Sequence, residues 1–256
     1  MPAGSRMFYW IPPDKLEKFH RALKGIAEFY PNCFFANDML VAMGKNLSFL
    51  ADERFAESFY STAITEHDKS LVWRLHVLAW AASHALHVPG DFVECGVWRG
   101  LSSAVVCKYL DFAKLGKAFY LYDTFAGLPE ETSTEDERKL WNSGYTEDPA
   151  KWLAEVRRTF AEYPNVKIIP GIVPASLERE SPRSIAYLHI DMNSARAEIL
   201  ALERLFDRVS PGGLIVLDDF GWVCNRDQTV AELKFMGERK YAVLELPTGQ
   251  GLVLKR

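Results

Sequence analysis

Residues 90–110 read GDFVECGVWRGLSSAVVCKYL, a short apolar strand followed by a glycine-containing turn and a helix. The strand ends near Glu94, and Gly96 and Gly100 bracket the turn. Because glycine has no side chain, it lets the backbone approach a ligand closely. The stretch therefore predicts the first unit of an α/β fold and one wall of a binding site. A tight strand–helix turn without a ligand remains the alternative.

Strand–helix alternation continues from this stretch toward the C-terminus. Four later segments have the character of strands: KAFYLYD, VKIIP, SIAYLHID and GGLIVLDD. Three further segments have helical spacing: DPAKWLAEVRRTFAEY, SARAEILALERLFDRV and RDQTVAELKFMGE. An antiparallel hairpin is predicted to close the chain, formed by YAVLEL, the turn PTGQG and LVLKR. Repeated strand–helix units predict a parallel sheet covered by helices on both faces.

The first 88 residues follow a different pattern and are predicted to be mostly helical. Apolar residues recur at three- and four-residue spacing in DKLEKFHRALKGIAEF and SLVWRLHVLAWAASHAL. The stretch NCFFANDMLVAMGKNLSFL between them is apolar but poorly phased and stays unassigned. We therefore divide the chain into a helical region, residues 1–88, and an α/β core, residues 89–256. The helical region is predicted to be a lid and substrate wall, or else an extension of the core or a support for a subunit interface.

Composition excludes several classes of partner. The chain has 256 residues and a net charge of −4, so it carries no basic footprint for nucleic acid and no polybasic block for a membrane surface. No apolar run approaches the roughly 18 residues of a membrane helix. Four scattered cysteines without CxxC spacing argue against a zinc site and fit a reducing compartment. We expect a cytoplasmic protein with a small-molecule partner, and a homo-oligomer is compatible with these observations.

Ligands of parallel sheets bind beyond the carboxyl ends of the strands, so the residues at those ends are the first candidates for a site. Asp123 closes the strand KAFYLYD and is placed to accept hydrogen bonds from a ribose diol. An Asx turn or a helix cap is the structural alternative for this aspartate. The absence of GxGxxG counts against a nucleotide-dependent oxidoreductase.

Three further carboxylates follow two other strands. Asp191 ends YLHID, and Asp218 and Asp219 end GGLIVLDD. If these strands are neighbours, like charges meet, and a bound cation would relieve their repulsion. Oxygen ligands favour Mg²⁺ or another hard divalent cation. The alternative is that Asp191 caps the helix beginning near Ser194; His189, on the same side of the strand, is predicted to be mainly structural.

Five segments together resemble the macrocin O-methyltransferase (TylF-type) family: GDFVECGVWRGLSS, YDTFAGLP, PGIVPASL, IDMN and SPGGLIVLDDFG. The likeness is strongest between Gly90 and Gly221. It implies the class I methyltransferase fold, a Rossmann-like, mostly parallel sheet with one antiparallel strand. It also implies S-adenosylmethionine as cofactor and methyl transfer to a hydroxyl of a sugar or another small natural product.

The resemblance assigns cofactor contacts to six residues at strand ends: Glu94, Gly96, Asp123, Thr124, Gly171 and Ser176. Glu94 and Gly96 would hold the methionine part of the cofactor and Asp123 the ribose. The turn from Gly171 to Ser176 would lie by the adenine. It also assigns a divalent metal to a set of three aspartates: Asp191, Asp218 and Asp219. That metal would chelate a diol of the acceptor.

The chain departs from the family pattern at Asn193, where members commonly carry an acid that is a suggested general base. The segment SARAEI also lacks a usual tyrosine, and Ala175 replaces a commonly acidic residue. We assign Asp191 and Asn193 to catalysis and leave the base open between Asp191, a water molecule and a hydroxyl acidified by the metal. The alternative function is a non-catalytic or weakly active S-adenosylmethionine-binding module.

Overall fold

The computed structural model describes residues 8–31, 33–145 and 148–256. The chain forms two compact units, Met1–His76 and Val77–Arg256. The predicted boundary between residues 88 and 89 marks the start of the strand–helix alternation, and a lid function for residues 1–88 stays a prediction. Within the described ranges, none of the helices combines the length and the apolar character that crossing a bilayer requires.

The first unit contains helices and one two-stranded antiparallel hairpin. Its helices, the last of which continues into the second unit, are α1 (Pro13–Glu28), α2 (Glu53–Tyr60), α3 (Glu66–Ser70) and α4 (Val72–Ala85). The hairpin consists of β1 (Phe34–Asn37) and β2 (Leu40–Met43) and lies in the stretch that the sequence left unassigned. Asp38 and Met39 both have positive φ, which gives the two-residue turn its twist, and the turn carries no glycine that would have revealed it.

The second unit is built on a seven-stranded sheet. Its strands are β3 (Asp91–Cys95), β4 (Phe119–Asp123), β5 (Val166–Pro170), β6 (Ile185–Ile190), β7 (Val209–Leu217), β8 (Leu244–Glu245) and β9 (Gly251–Leu254). The spatial order is β5-β4-β3-β6-β7-β9-β8. The first five strands in this order are parallel, and β9 pairs antiparallel with both β7 and β8. The predicted class of fold is confirmed, including the closing hairpin.

Among the described residues, six further α-helices accompany this sheet: α5 (Leu101–Leu110), α6 (Glu135–Trp141), α7 (Pro149–Thr159), α8 (Ala175–Arg179), α9 (Ala195–Leu205) and α10 (Arg226–Glu238). The strands β4 and β6 are buried at every position, as expected where helices cover both faces of a sheet. Apolar side chains of β3, β6 and β7 form the centre of the core, among them Val93, Leu188, Ile190, Ile215 and Leu217. This rigid centre holds the polar residues at the strand ends in fixed positions.

Candidate active site

A cleft opens at the carboxyl ends of β3, β4, β5 and β6, the edge of a parallel sheet at which ligands usually bind. Five of the residues predicted from the sequence line it: Gly96, Asp123, Thr124, Gly171 and Asp191. They come from four different strand ends and meet because neighbouring parallel strands end at the same edge. We refer to Gly96, Asp123 and Gly171, for which the family resemblance predicts cofactor contacts, as the cofactor wall.

The two glycines of the cofactor wall occupy backbone conformations that other residues rarely adopt. Gly96 has φ +89° and Gly171 has φ +141°. A Cβ atom on Gly96 would clash with the backbone of Asp191, and one on Gly171 would come within 2.8 Å of the Arg179 guanidinium. Glycine is therefore required at both turns, and the turns can lie directly against a ligand.

Asp123 is held by main-chain donors. Its Oδ2 accepts hydrogen bonds from the amides of Val97 at 2.7 Å and Trp98 at 2.8 Å, and its Oδ1 accepts one from Phe125 at 2.6 Å. Burial raises the pKa of this carboxyl, while these backbone hydrogen bonds oppose the rise. The Asx turn considered as an alternative is present, and Asp123 also ties β4 to the turn after β3. Contact with a ribose stays a prediction.

Glu94 and Ser176 do not line the cleft, although the sequence analysis assigned both to the cofactor. Each is 1% exposed. The Glu94 carboxylate accepts hydrogen bonds from the Ser103 hydroxyl and from Nδ1 of His189, the latter at 2.8 Å. The Ser176 hydroxyl has no hydrogen-bond partner among the described residues. Cofactor contacts of these two residues remain predictions, and the present position of Glu94 is one of internal support.

Asp191, Asp218 and Asp219 form what we call the carboxylate edge. Ligand atoms of His189, Asp191 and Asp218 all lie within 4.8 Å of one another. Asp219 is outside this group, and its Oδ2 accepts a hydrogen bond from the Asn225 amide at 3.4 Å. The structure thus brings together two of the three predicted metal ligands with a histidine, and a ligand role for Asp219 stays a prediction.

His189 is the centre of a buried network that the sequence analysis underrated. Its Nδ1 lies 2.8 Å from Glu94, and its Nε2 lies 3.4 Å from Oδ1 of Asp218. Burial by itself lowers the pKa of His189, but the hydrogen bonds with the two carboxylates outweigh it and raise the pKa well above its usual value. A protonated His189 therefore offsets the charges of Glu94 and Asp218. The only signal in the sequence was its position two residues before Asp191.

The donor set of the carboxylate edge suits a hard divalent cation. Asp191 and Asp218 supply carboxylate oxygens, the ligands that Mg²⁺ prefers. Both ring nitrogens of His189 already face carboxylates, so this histidine serves as their partner more readily than as a metal ligand. The residues present thus fit the metal that the resemblance implies, and the metal itself stays a prediction.

Asn193 lies beside Asp191 in a left-handed backbone conformation with φ +53°. Its amide nitrogen is 3.5 Å from Oδ1 of Asp191, and its Oδ1 is buried without a hydrogen-bond partner among the described residues. An unmatched buried acceptor is costly. Asn193 is not among the residues that line the cleft, so its contact with a bound molecule stays a prediction. Asp191 does not cap α9, whose N-cap residue is Ser194.

Residues 124–145 follow β4 and border one side of the cleft, and we call them the covering segment. The sequence analysis used their beginning, in YDTFAGLP, for the family resemblance and did not identify the rest. Gly127, Leu128, Pro129, Thr132 and Tyr145 contribute to the lining from this side. The segment is tied to the start of α9, where the Ser194 hydroxyl donates to the Thr132 carbonyl and Oε1 of Glu137 accepts from the Ala195 amide at 2.9 Å. The capping box of α6, formed by Thr134 and Glu137, is the signal that could have revealed it.

The charged side chains in the described lining of the cleft are all acidic. Its described lining contains the carboxylates of Asp123 and Asp191 and no lysine, arginine or histidine. Carboxylates in a partly closed cleft create a negative potential that attracts cations and repels anions. The cleft therefore favours a positively charged ligand over a phosphate-bearing one.

Two further acids are buried between α9 and α10. Glu198 and Glu232 are both 0% exposed, and Oε1 of Glu198 accepts a hydrogen bond from the Met192 amide at 2.9 Å. Burial and the neighbouring Glu232 raise the pKa of Glu198 well above its usual value, and burial raises the pKa of Glu232 to about 7. The pair thus holds protons at neutral pH next to the loop that follows Asp191.

Comparison with known proteins finds relatives that are named as O-methyltransferases. Residues 72–241 match the macrocin-O-methyltransferase (TylF) family. The 8-demethyl-8-(2,3-dimethoxy-alpha-L-rhamnosyl)-tetracenomycin-C 4'-O-methyltransferase of Streptomyces olivaceus is 33% identical over 150 residues, which cover 55% of this chain and 56% of the relative. The mycinamicin III 3''-O-methyltransferase of Micromonospora griseorubida is 29% identical over 160 residues, covering 57% and 62%.

The matches thus span little more than half of each curated relative's own length. Among solved structures, the O-methyltransferase NovP superposes with a TM-score of 0.60 at 23% identity, covering 72% of this chain and 80% of that one. This likeness supports the class I methyltransferase fold. Because the family match covers residues 72–241, well over half of the sequence, the chain belongs to the macrocin-O-methyltransferase (TylF) family.

Proposed function

We propose that this protein is an S-adenosylmethionine-dependent O-methyltransferase acting on a hydroxyl of a sugar or another small natural product. The observation that carries the proposal is the glycine-walled, acid-lined cleft at the strand ends of a chain in this family. The relatives from Streptomyces and Micromonospora are named for methyl transfer to hydroxyls, and the first name includes a rhamnosyl group. These names support the acceptor class.

The chemistry of the cleft agrees with this cofactor. When bound, S-adenosylmethionine supplies an electrophilic methyl group on a positively charged sulfonium. Asp123 and Asp191 provide a negative potential for that charge, and Gly96 and Gly171 let the main chain approach the ligand. A dinucleotide would bring a pyrophosphate into a cleft whose described lining has no cationic side chain, so the oxidoreductase alternative is disfavoured.

The protein's own residues act mainly by positioning. Asp191 and Asn193 lie together at the end of β6, where a carboxylate and an amide can orient an acceptor hydroxyl. Asp191 can also accept the hydroxyl proton as the oxygen attacks the methyl carbon, a role closed to the Asn193 amide. Leu128 and Pro129 add apolar side chains to the lining of the cleft from the covering segment.

We further propose metal assistance and a vicinal diol as the acceptor group. Asp191, Asp218 and Asp219 would hold a divalent cation, which supplies positive charge that lowers the pKa of an acceptor hydroxyl. The support comes from the proximity of Asp191 and Asp218 and from their oxygen donors. A diol offers two adjacent oxygens to such an edge, so it would be held in a single orientation.

The test has a binding step and a transfer step. Calorimetry should detect S-adenosylmethionine, with weaker binding of a dinucleotide such as NAD. Radiolabelled methyl transfer should then be measured to a panel of sugars with and without vicinal hydroxyls, in Mg²⁺ and in EDTA. Failure to bind S-adenosylmethionine would defeat the proposal, and transfer that is equal in EDTA would remove the metal from it.

A non-catalytic S-adenosylmethionine-binding module is the second candidate function, and Asn193 is the residue that favours it. This chain has an amide where the family commonly has an acid, so the proton acceptor must be another group. Binding without methyl transfer across the whole panel would support the module. Transfer restored by Asn193→Asp would show that the missing acid is the cause.

A further inference from the structure

The C-terminal hairpin reaches the carboxylate edge through Gln250, which lies beyond the residues that match the family. Gln250 is 0% exposed, and its Nε2 donates to Oδ1 of Asp218 at 2.7 Å. His189 approaches the same oxygen at 3.4 Å. Gln250 is therefore the closer of these two donors, and its distance is that of a well-formed hydrogen bond.

Thr248 sets the orientation of the Gln250 amide. The Thr248 hydroxyl donates to Oε1 of Gln250 at 2.9 Å, so the oxygen of the amide faces Thr248 and the nitrogen faces Asp218. The reverse orientation would point an amide oxygen at a carboxylate oxygen, two acceptors without a proton between them. Thr248 therefore donates to Gln250, and Gln250 in turn donates to Asp218.

The same turn also holds the backbone that follows Asp219. The Gly221 amide donates to the Gly249 carbonyl at 2.7 Å. Gly249 has φ +84°, and a Cβ atom there would clash with the Trp222 indole. The turn is closed on itself because the Leu246 amide donates to the Gln250 carbonyl at 2.8 Å. The hairpin turn, residues 246–250, thus fixes both the Asp218 side chain and the loop after it.

We propose that Gln250 is a positioning residue, oriented by Thr248, which fixes the Asp218 carboxylate for the chemistry of the carboxylate edge. The inference rests on the proposed function, since it gives that edge the role of holding a cation and an acceptor. It adds the C-terminal hairpin to the site, as a second layer behind the ligands. Groups of this kind commonly change metal affinity by roughly 10- to 100-fold when they are removed.

The test compares Gln250→Met, which keeps the length of the side chain and loses the donor, with Thr248→Val, which loses the orienting hydroxyl. Leu244→Ala, at an exposed position of the same hairpin, is the matched control. Calorimetry with Mn²⁺ should give a dissociation constant about tenfold higher for Gln250→Met and a smaller increase for Thr248→Val. Affinity for S-adenosylhomocysteine should stay at the native value in all three variants, which also reports correct folding.

A native Mn²⁺ affinity in folded Gln250→Met would overturn the inference. If that variant does not fold, Thr248→Val decides in the same way. If the native protein binds no Mn²⁺, the metal proposal fails separately and turnover decides: a lower kcat with unchanged cofactor affinity supports Gln250, and an unchanged kcat overturns it. A native protein that neither binds Mn²⁺ nor transfers methyl groups refutes both proposals.

Discussion

The cofactor wall and the carboxylate edge lie at the same end of one sheet, yet their aspartates are held by different means. Asp123 accepts three hydrogen bonds from main-chain amides at 2.6–2.8 Å. Asp218 accepts from side chains, at 2.7 Å from Gln250 and 3.4 Å from His189. The position of the Asp123 side chain therefore depends on the backbone fold alone. The position of the Asp218 side chain depends also on the side chains at positions 189 and 250.

Under the proposed function, this difference should separate effects on cofactor binding from effects on the rate of methyl transfer. A change in the cofactor wall alters the turn itself, so it should affect stability and cofactor affinity together. A change in the carboxylate edge leaves main-chain contacts intact, so it should lower the rate and spare the cofactor. The four predictions that follow test this division, from the largest expected effect to the smallest.

Asp191→Ala should lower kcat by about 1,000-fold, because it removes the proposed proton acceptor and a metal ligand at once. Asn193→Ala should lower kcat by about tenfold, the effect of one lost hydrogen bond. Single-turnover methyl transfer measures both rates, and calorimetry with S-adenosylhomocysteine should give native affinities. A large loss of affinity in Asp191→Ala would break the division, because it would place this aspartate in the cofactor wall.

Asp123→Ala should destabilise the protein by about 3 kcal/mol, because three buried amides lose their acceptor. If the carboxylate also binds the ribose, affinity for S-adenosylhomocysteine should fall by about tenfold or more. Urea unfolding and calorimetry measure the two quantities. Asp207→Ala, at an exposed position outside the cleft, is the control. Native affinity in a folded but destabilised Asp123→Ala protein would make Asp123 purely structural.

Glu232→Gln should weaken the dependence of the protein's free energy of unfolding on pH. The pKa of Glu232 is about 7 in the folded protein against an ordinary 4.5, so the folded state binds more protons between these values. The free energy of unfolding therefore falls as pH rises through this window, by an amount on the order of 2 kcal/mol. Urea unfolding at pH 5 and pH 8 should show the fall in the native protein. The fall should keep its full size in the exposed control Glu238→Gln and become smaller in Glu232→Gln, where Glu198 still has a raised pKa.

Replacing Mg²⁺ by Mn²⁺ should shift the pH–rate profile to lower pH by about half a unit, because the bound ion sets the pKa of the acceptor hydroxyl. Cofactor affinity should not change, since the cofactor wall holds no part of the metal. Steady-state rates between pH 6 and 10 with each ion, and in EDTA, provide the measurement. A profile that is indifferent to the ion, with activity that survives chelation, would point to a metal-free mechanism.

The strand-end residues of the cleft could be predicted because they follow from periodicity and one topological rule. Parallel strands place their carboxyl ends at one edge, so Gly96, Asp123 and Asp191 were expected to meet there, and all three line the cleft. Gly171, which also lines it, was assigned through the family resemblance. Alternation of side chains along a strand does not say which strand-end residue faces the cleft. Glu94, one residue before the buried Cys95, is directed at His189 instead.

The supporting contacts could not be predicted because they join residues that are far apart in the chain. Glu94 and His189 are separated by 95 positions, and Asp218 and Gln250 by 32. Their meeting depends on the order β3-β6-β7-β9 in the sheet, which the sequence pattern does not specify. The covering segment that carries Tyr145 was missed for a different reason, since its one regular helix has only seven residues.

Gly96 couples the cofactor wall to the carboxylate edge, because its backbone packs directly against that of Asp191. A methyl group at this position would act as a wedge between the turn after β3 and the backbone of Asp191. Any side chain there would displace the proposed cofactor site and the proposed acceptor site together. A substitution at Gly96 therefore could not change one of these sites alone. Attempts to change the acceptor range are therefore better directed at Leu128 and Thr132, which border the same cleft from the covering segment and leave that backbone contact untouched.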